Sequence, residues 1–485
     1  MRAARDRSGR PGAADPTAEG VRPYPLAAVQ KWELRARFPL GLGIFRGGSI
    51  HSRMRAISLS IFLAAGSLWT GAAWAIPNSI TGPLLNQDSP LNGQDLTQSL
   101  LSAGIWDGSE ELPGEWTEEG EVANAKISYL RARPKLFGQD LILLRSVQRE
   151  GKLESLEATF VDAGSYFGYF DEEMPDGMSR REMRKEIAVR LAEKQAEFTR
   201  LYADSHVNLK SSIGAACGDS KPEEGRIGRT RGLRTPVEEW KKDGRRIRLL
   251  AGENRLLRVF ISADKVPAEE WMDPAISALP PREKLGKLAA GVSRDDDGTV
   301  SLPGLRPIPQ GYRPYCGLNT LAMAARHFGL HLDEDWLAVA SGFKNTGRAD
   351  GANLVKLYHA VAAEAGYGLD RSTKFDPAAA TKALGAGFPV IVWRRYSPER
   401  NALHTRFMRE FSKHPTATLP DPAASGERAS WPGEDAPLHA SVIVGYNADR
   451  KEFLFLESWT GKDTPRRMRV EELVATTDLA FVFRP

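Results

Sequence analysis

"QGYRPYCGLNTLAMAARHFG", residues 310–329, places Cys316 at the mouth of an apolar helical run, with an amide side chain, Gln310, six residues upstream. The apolar run that follows the cysteine at once reads as a helix that starts at the thiol. The 485-residue chain has only two cysteines. A thiolate rather than a thiol is the nucleophile. The N-terminus of a helix carries about half a positive charge and favours that anion. The stretch therefore predicts a reactive cysteine on the first turn of a helix, and the rest of the chain has to supply its base.

The two cysteines could instead pair in one disulfide, but an exported chain that relied on stapling would carry more of them. Export itself is read from "MRAISLSIFLAAGSLWTGAAWA", residues 54–75: Met54 and Arg55, an apolar middle, then Ala73-Trp74-Ala75. This is the layout of a secretory signal with small residues at −3 and −1. Met54 is read as the start, with cleavage after Ala75, and residues 1–53 as an upstream over-translation or disordered leader. The alternative keeps residues 57–76 as a membrane anchor, 20 residues that only just span a bilayer. The net charge of +4 is a leader effect: residues 1–53 contribute +6 and Arg55 one more, leaving −3 for 76–485. The basic balance thus gives no reason to expect a nucleic-acid partner. The expected product is an exported, periplasmic or extracellular bacterial protein with no stable membrane insertion after signal cleavage.

Within the mature chain, "AKISYLRAR", "DLILLRSVQ" and "LESLEATFVDAG" read as strands, separated by turns. From Ser179, a plausible cap, Met183, Ile187, Leu191 and Phe198 recur at helical spacing and predict a long amphipathic helix. "RRIRLLAG" and "LLRVFISAD" add a strand pair. Residues 76–295 are therefore expected as an α+β domain of unassigned role, with recognition favoured over latency. Residues 207–235 are its expected exposed loop, 296–304 a linker, and 305–485 a second α+β domain. That domain starts with helices at "CGLNTLAMAARHFG", "ANLVKLYHAVAAEAGY" and "PAAATKALGAG". The strands "FPVIVWRRY", "HASVIVGYNA", "EFLFLESW" and "LAFVFRP" follow, a segregated arrangement of helices and antiparallel strands.

His439 opens the third-last of these strands, and Glu457-Ser458-Trp459 ends the next. If the two strands form a hairpin around "NADRK", the start of one lies beside the end of the other, and His439 meets Glu457. A carboxylate there can accept from the imidazole and hold its orientation.

Gln310, Cys316 heading a helix, His439 on a strand and "ESW" after the next strand resemble, in order and spacing, the papain-like cysteine peptidases. Cys316-Gly317, "GFPVIVW" and "HASVIVGY" are more similar to the branch of bacteriocin-processing, double-glycine leader peptidases and their secreted relatives. The resemblance spans about 305–485. It implies Cys316 as nucleophile and His439 as general base and acid. Gln310 becomes the oxyanion donor alongside the Cys316 backbone N–H, and Trp459 the shield of the polar triad. Glu457 becomes the orienting group, and here the chain departs from the pattern: the family uses Asn or Asp, and Glu is one methylene longer. The implied partner is a protein or peptide substrate. An acyl transferase using the same thioester, and a non-catalytic binding module of the same fold, are the alternatives.

Other signals point less far. His327 and His331 are four apart, but Gly329 ends the helix between them. "DDDG", residues 295–298, lacks the spacing and late Glu of a calcium loop. The chain has no GxxxxGK[ST], HExxH or GxSxG, so no cofactor or metal is expected and no ATP-driven transporter is fused to the peptidase-like part.

Overall fold

A computed structural model of the chain describes residues 85–168, 179–252, 254–263, 270–311, 313–344, 351–459 and 464–485. The leader, the signal segment and residues 76–84 lie outside them. Among the described residues two eight-stranded sheets dominate.

The first sheet is antiparallel throughout. Its strands run in the spatial order Trp116–Val122, Ala125–Leu130, Leu143–Arg149, Lys152–Asp162, Leu256–Ala263, Arg245–Gly252, Thr235–Lys242 and Glu223–Ile227. A 37-residue helix, Arg180–Ala216, connects its two halves. Ser179 caps that helix with a full capping box, accepting from the Glu182 N–H while the Glu182 carboxylate returns to the Ser179 N–H. Two orphan donors of the first turn are satisfied in this way. Phe198, Tyr202, Leu209 and Ile213 face the core of this sheet. The exposed loop expected over 207–235 is corrected: residues 207–216 complete the helix, and Glu223–Ile227 is an edge strand. Two hydrophilic strands, "EEGRI" and "TPVEEWKK", alternate too weakly for their sequence to announce them.

The second sheet surrounds the candidate site. Its path is Ser293–Arg294, Thr299–Ser301, Leu438–Asn447, Val390–Arg395, Thr477–Arg484 and Gly368–Ser372, and the hairpin partner Glu452–Leu456 continues to Arg466–Arg469. The stretch read as a linker thus contributes a strand, Thr299–Ser301, which pairs with Gly445–Asn447. Helix Cys316–His327 lies against this sheet, with its residues from Gly317 to Ala325 buried. Helices Glu334–Ser341 and Pro398–Lys413 were not anticipated. The second is strongly polar but packs through Arg400, His404 and Phe407.

The core of the second sheet does not stop at residue 300. Ile227, Leu233, Leu250, Trp271 and Met272 join the cluster that holds Leu318, Leu321 and Trp336. Buried ion pairs cross in the same direction. Arg145 and Arg258 of the first sheet both donate to Asp333, at 2.9 and 2.5 Å, and Arg326 donates to Glu119 at 2.6 Å. The two guanidinium groups hold Asp333 ionised despite its burial, with its carboxyl driven far below the usual carboxylate range.

Candidate active site

Cys316 is the first residue of its helix, and Tyr315 is the capping position. The turn is braced from below. Tyr358 donates its hydroxyl to the Gly317 carbonyl at 2.7 Å and accepts from the Trp393 indole at 3.2 Å. Thr320 donates to the Cys316 carbonyl at 3.0 Å. Residue Cys316 is half-buried and not in a disulfide, and neither is Cys217.

His439 stands on the strand opposite Arg394 and is 6% exposed. Its Nε2 meets Glu457 Oε2 at 2.5 Å. The side chains of His439 and Cys316 are also hydrogen-bonded. Burial alone would raise the Cys316 pKa. The hydrogen bond and charge of His439, with the N–H groups of Ala440 and Gly317, outweigh it and lower the pKa. Burial would likewise discharge His439, but the Glu457 carboxylate and the Cys316 sulfur hold its proton up to about 9. The Glu457 carboxyl is correspondingly drawn down to about 2, against its burial, by His439 and Arg394. Both shifts favour the thiolate–imidazolium form over the neutral thiol–imidazole pair.

The hairpin geometry explains how Glu457 arrives. Val442 is paired with Leu456. Carrying that register outward sets Glu457 level with Ser441 and Trp459 level with His439. A register shift between Ile443 and Gly445 is what establishes it. Without that one-residue bulge, Glu457 would stand level with Val442, whose side chain points to the other face. Trp459 stacks on the His439 ring, centroids 4.0 Å apart and planes 26° apart, and Tyr396 packs edge-on against Trp459.

Gln310 is 2% exposed and clasped on both sides. Its Nε2 donates to the Arg313 carbonyl at 2.8 Å, its Oε1 accepts from Ser458 Oγ at 2.6 Å, and its backbone N–H donates to the Ser458 carbonyl at 2.6 Å. The amide polarity is therefore fixed, and the Gln310 loop is tied to the "ESW" segment. Arg313 locks the other side: its Nε donates to the Gln310 carbonyl at 2.9 Å, and its guanidinium binds Glu334 at 2.9 Å and Asp335. All four residues singled out in the sequence, Gln310, Cys316, His439 and Glu457, thus converge on one locality.

Arg394 and Ser441 were missed. Arg394 donates to Glu457 Oε1 at 2.5 Å and to Ser441 Oγ at 3.0 Å, and Ser441 donates to the same Oε1 at 3.0 Å. The available signal was a basic residue within the apolar strand "VIVWRR", where charge has to be satisfied internally. His327 binds the Gly387 carbonyl at 2.8 Å and His331 binds Asp273 at 2.8 Å, so each serves a separate structural contact. Among the described residues no group of acidic, histidine or cysteine side chains is arranged to hold a metal.

A sheet-backed helix with a cysteine at its start, facing a histidine on the sheet, defines the papain-like class of cysteine peptidases. Residues 304–478 fit the sequence model of the Peptidase_C39 like family, which supports a cysteine-peptidase-like function for this part of the chain. A solved structure described as a C39-like peptidase from Bacillus anthracis is similar at 13% identity and a TM-score of 0.24, covering 38% of this chain and 97% of that one. The chain has no match among curated proteins.

Proposed function

We propose that the chain is an exported thiol peptidase that hydrolyses peptide bonds through a thioester on Cys316. The thiolate attacks the scissile carbonyl, and the His439 imidazolium gives its proton to the departing amine. The now neutral imidazole then takes a proton from water as it attacks the thioester, which releases the acid and restores the thiolate–imidazolium pair. The Cys316 N–H and the fixed Gln310 amide are the donors assigned to the tetrahedral oxyanion. Glu457 orients His439, and Trp459 covers the His439 ring and keeps water from the pair. The observation that carries this reading is the hydrogen-bonded series Cys316–His439–Glu457 beginning at a helix N-terminus.

Export rests on the signal-like segment 54–75. Among the described residues no helix is long and apolar enough to cross a membrane. Residues 76–295 are assigned to recognition of a protein or peptide substrate, with latency as the alternative.

The test is incubation of the 76–485 protein with an unfolded protein mixture under reducing conditions, beside Cys316→Ala. Cleavage by the first and not the second supports the peptidase. Products capped by an added amine would make it an acyl transferase. Failure of a thiol-directed probe to label Cys316 would leave a binding module.

A further inference from the structure

Glu457 stands where the resemblance expects an amide or a shorter acid, and it is 5% exposed. A carboxylate in that position brings a full negative charge into a closed site beside a thiolate, where an asparagine would bring none. Arg394 is 3% exposed and lies directly across the sheet from His439. Its guanidinium grips Glu457 Oε1, so that the carboxylate's other oxygen, Oε2, is left for the imidazole. Ser441 fills the remaining angle between them, bonded to both. The Arg394 guanidinium also lies over the Phe455 ring at 5.2 Å, which fixes its plane.

We infer that Arg394 is a positioning residue: Arg394 and Glu457 act as one charge-balanced unit that does for His439 what a neutral amide does in papain. The inference rests on the proposed thiol-peptidase reading and goes beyond it, because it predicts that neither charge is tolerable without the other. The guanidinium also supplies geometry. Glu457 has one more rotatable bond than the residue it replaces, and two donors on Oε1 remove that freedom.

The charged and titratable groups that face Glu457 come from several elements. They are Arg394 and Tyr396 at the end of the Val390–Arg395 strand, His439 on the neighbouring strand, and Arg466 on the Arg466–Arg469 strand. Arg466 has no direct hydrogen bond to Glu457 among those seen, and its Nη1 is bonded to Asn401. Among the described residues Arg394 is therefore the one guanidinium in direct contact with the carboxylate, beside the His439 imidazolium.

The experiment measures iodoacetamide labelling of Cys316 by mass spectrometry against pH, with Cys217 as an internal reference, so it needs no known substrate. Four forms of the 76–485 chain are compared: wild type, Arg394→Met, Glu457→Gln and the double variant. Wild type labels Cys316 at pH 6 far faster than Cys217. Arg394→Met lowers that rate at least tenfold and shifts the onset of labelling to higher pH, since the unbalanced carboxylate takes up a proton more readily. In the Glu457→Gln background the same Arg394→Met change leaves the rate equal or raises it, because it removes a stranded buried cation. The double variant buries no unpaired charge, so where a single variant fails to fold the comparison passes to thermal unfolding, and the double variant melts above both single variants. Equal losses from Arg394→Met in both backgrounds, or a double variant that melts below both single variants, overturn the inference. A wild type that labels Cys316 no faster than Cys217 overturns the peptidase reading itself.

Discussion

Replacing Glu457 with Gln removes one charge at constant shape and should collapse the reactive ion pair. In wild type the His439 proton is held up to about 9, against an ordinary value of 6.5. At 1.36 kcal/mol per pH unit this is about 3 kcal/mol in favour of the imidazolium. The sign follows from the two shifts. The raised His439 contributes stability that is complete below 6.5 and lost as pH rises through about 9. The depressed Glu457 contributes stability that is complete above its ordinary 4.5 and lost as pH falls towards about 2. Near pH 6 both contributions are present, so that is where the variant should differ most. Without the carboxylate, burial and the stranded Arg394 both discharge His439, and the Cys316 thiolate loses its counter-ion. Iodoacetamide labelling of Cys316 at pH 6 should fall about 100-fold, and the profile should rise only above about pH 8, as for an ordinary thiol. Turnover should lose its neutral plateau in parallel. Breaking a buried pair also costs about 3–5 kcal/mol of stability, so circular dichroism must show that the variant is folded at the assay temperature. A folded Glu457→Gln protein with wild-type labelling at pH 6 would refute the assignment of Glu457 as the partner that keeps His439 charged.

Cys316→Ala should abolish both turnover and covalent labelling, a loss on the order of 10³-fold or more, while Cys217→Ala should change neither; steady-state kinetics and intact mass report the two. Gly164→Ala tests the contact between the helical turn that follows strand Lys152–Asp162 and the helix start at Cys316, because a methyl there would overlap the hydroxyl of Tyr315, the residue before Cys316. The expected cost is about 1–3 kcal/mol in thermal unfolding, with kcat reduced more than KM is raised; a kcat equal to wild type would show that the clash relaxes away from Cys316. Residues 300–485 expressed alone lose Trp271 and Met272 from the shared core and both arginine partners of Asp333. That fragment should melt well below the 76–485 protein and hydrolyse small peptides more slowly, whereas undiminished activity would mark residues 76–295 as dispensable to the site and a sharp gain would mark them as inhibitory.

Much of the site was legible in the chain because its parts are local. A cysteine at the head of an apolar helical run, an amide six residues before it, and a histidine opening a strand are each written within a few residues, and the short turn at "NADRK" places Glu457 near His439 by hairpin geometry alone. The Ser179 cap was legible for the same reason. The polar strands Glu223–Ile227 and Thr235–Lys242, the helix Pro398–Lys413 and the strand within the supposed linker were not, since their stability comes from neighbours far along the chain rather than from their own periodicity. Arg394 belongs with these. Its sequence neighbours say only that a base lies in an apolar strand; that it faces His439 is a matter of pairing between residues 45 apart. The bulge between Ile443 and Gly445 completes the separation. The residue types for an orienting contact are present in the sequence, but strand side chains alternate between faces, and a single-residue shift in pairing decides whether Glu457 points to the imidazole or away from it.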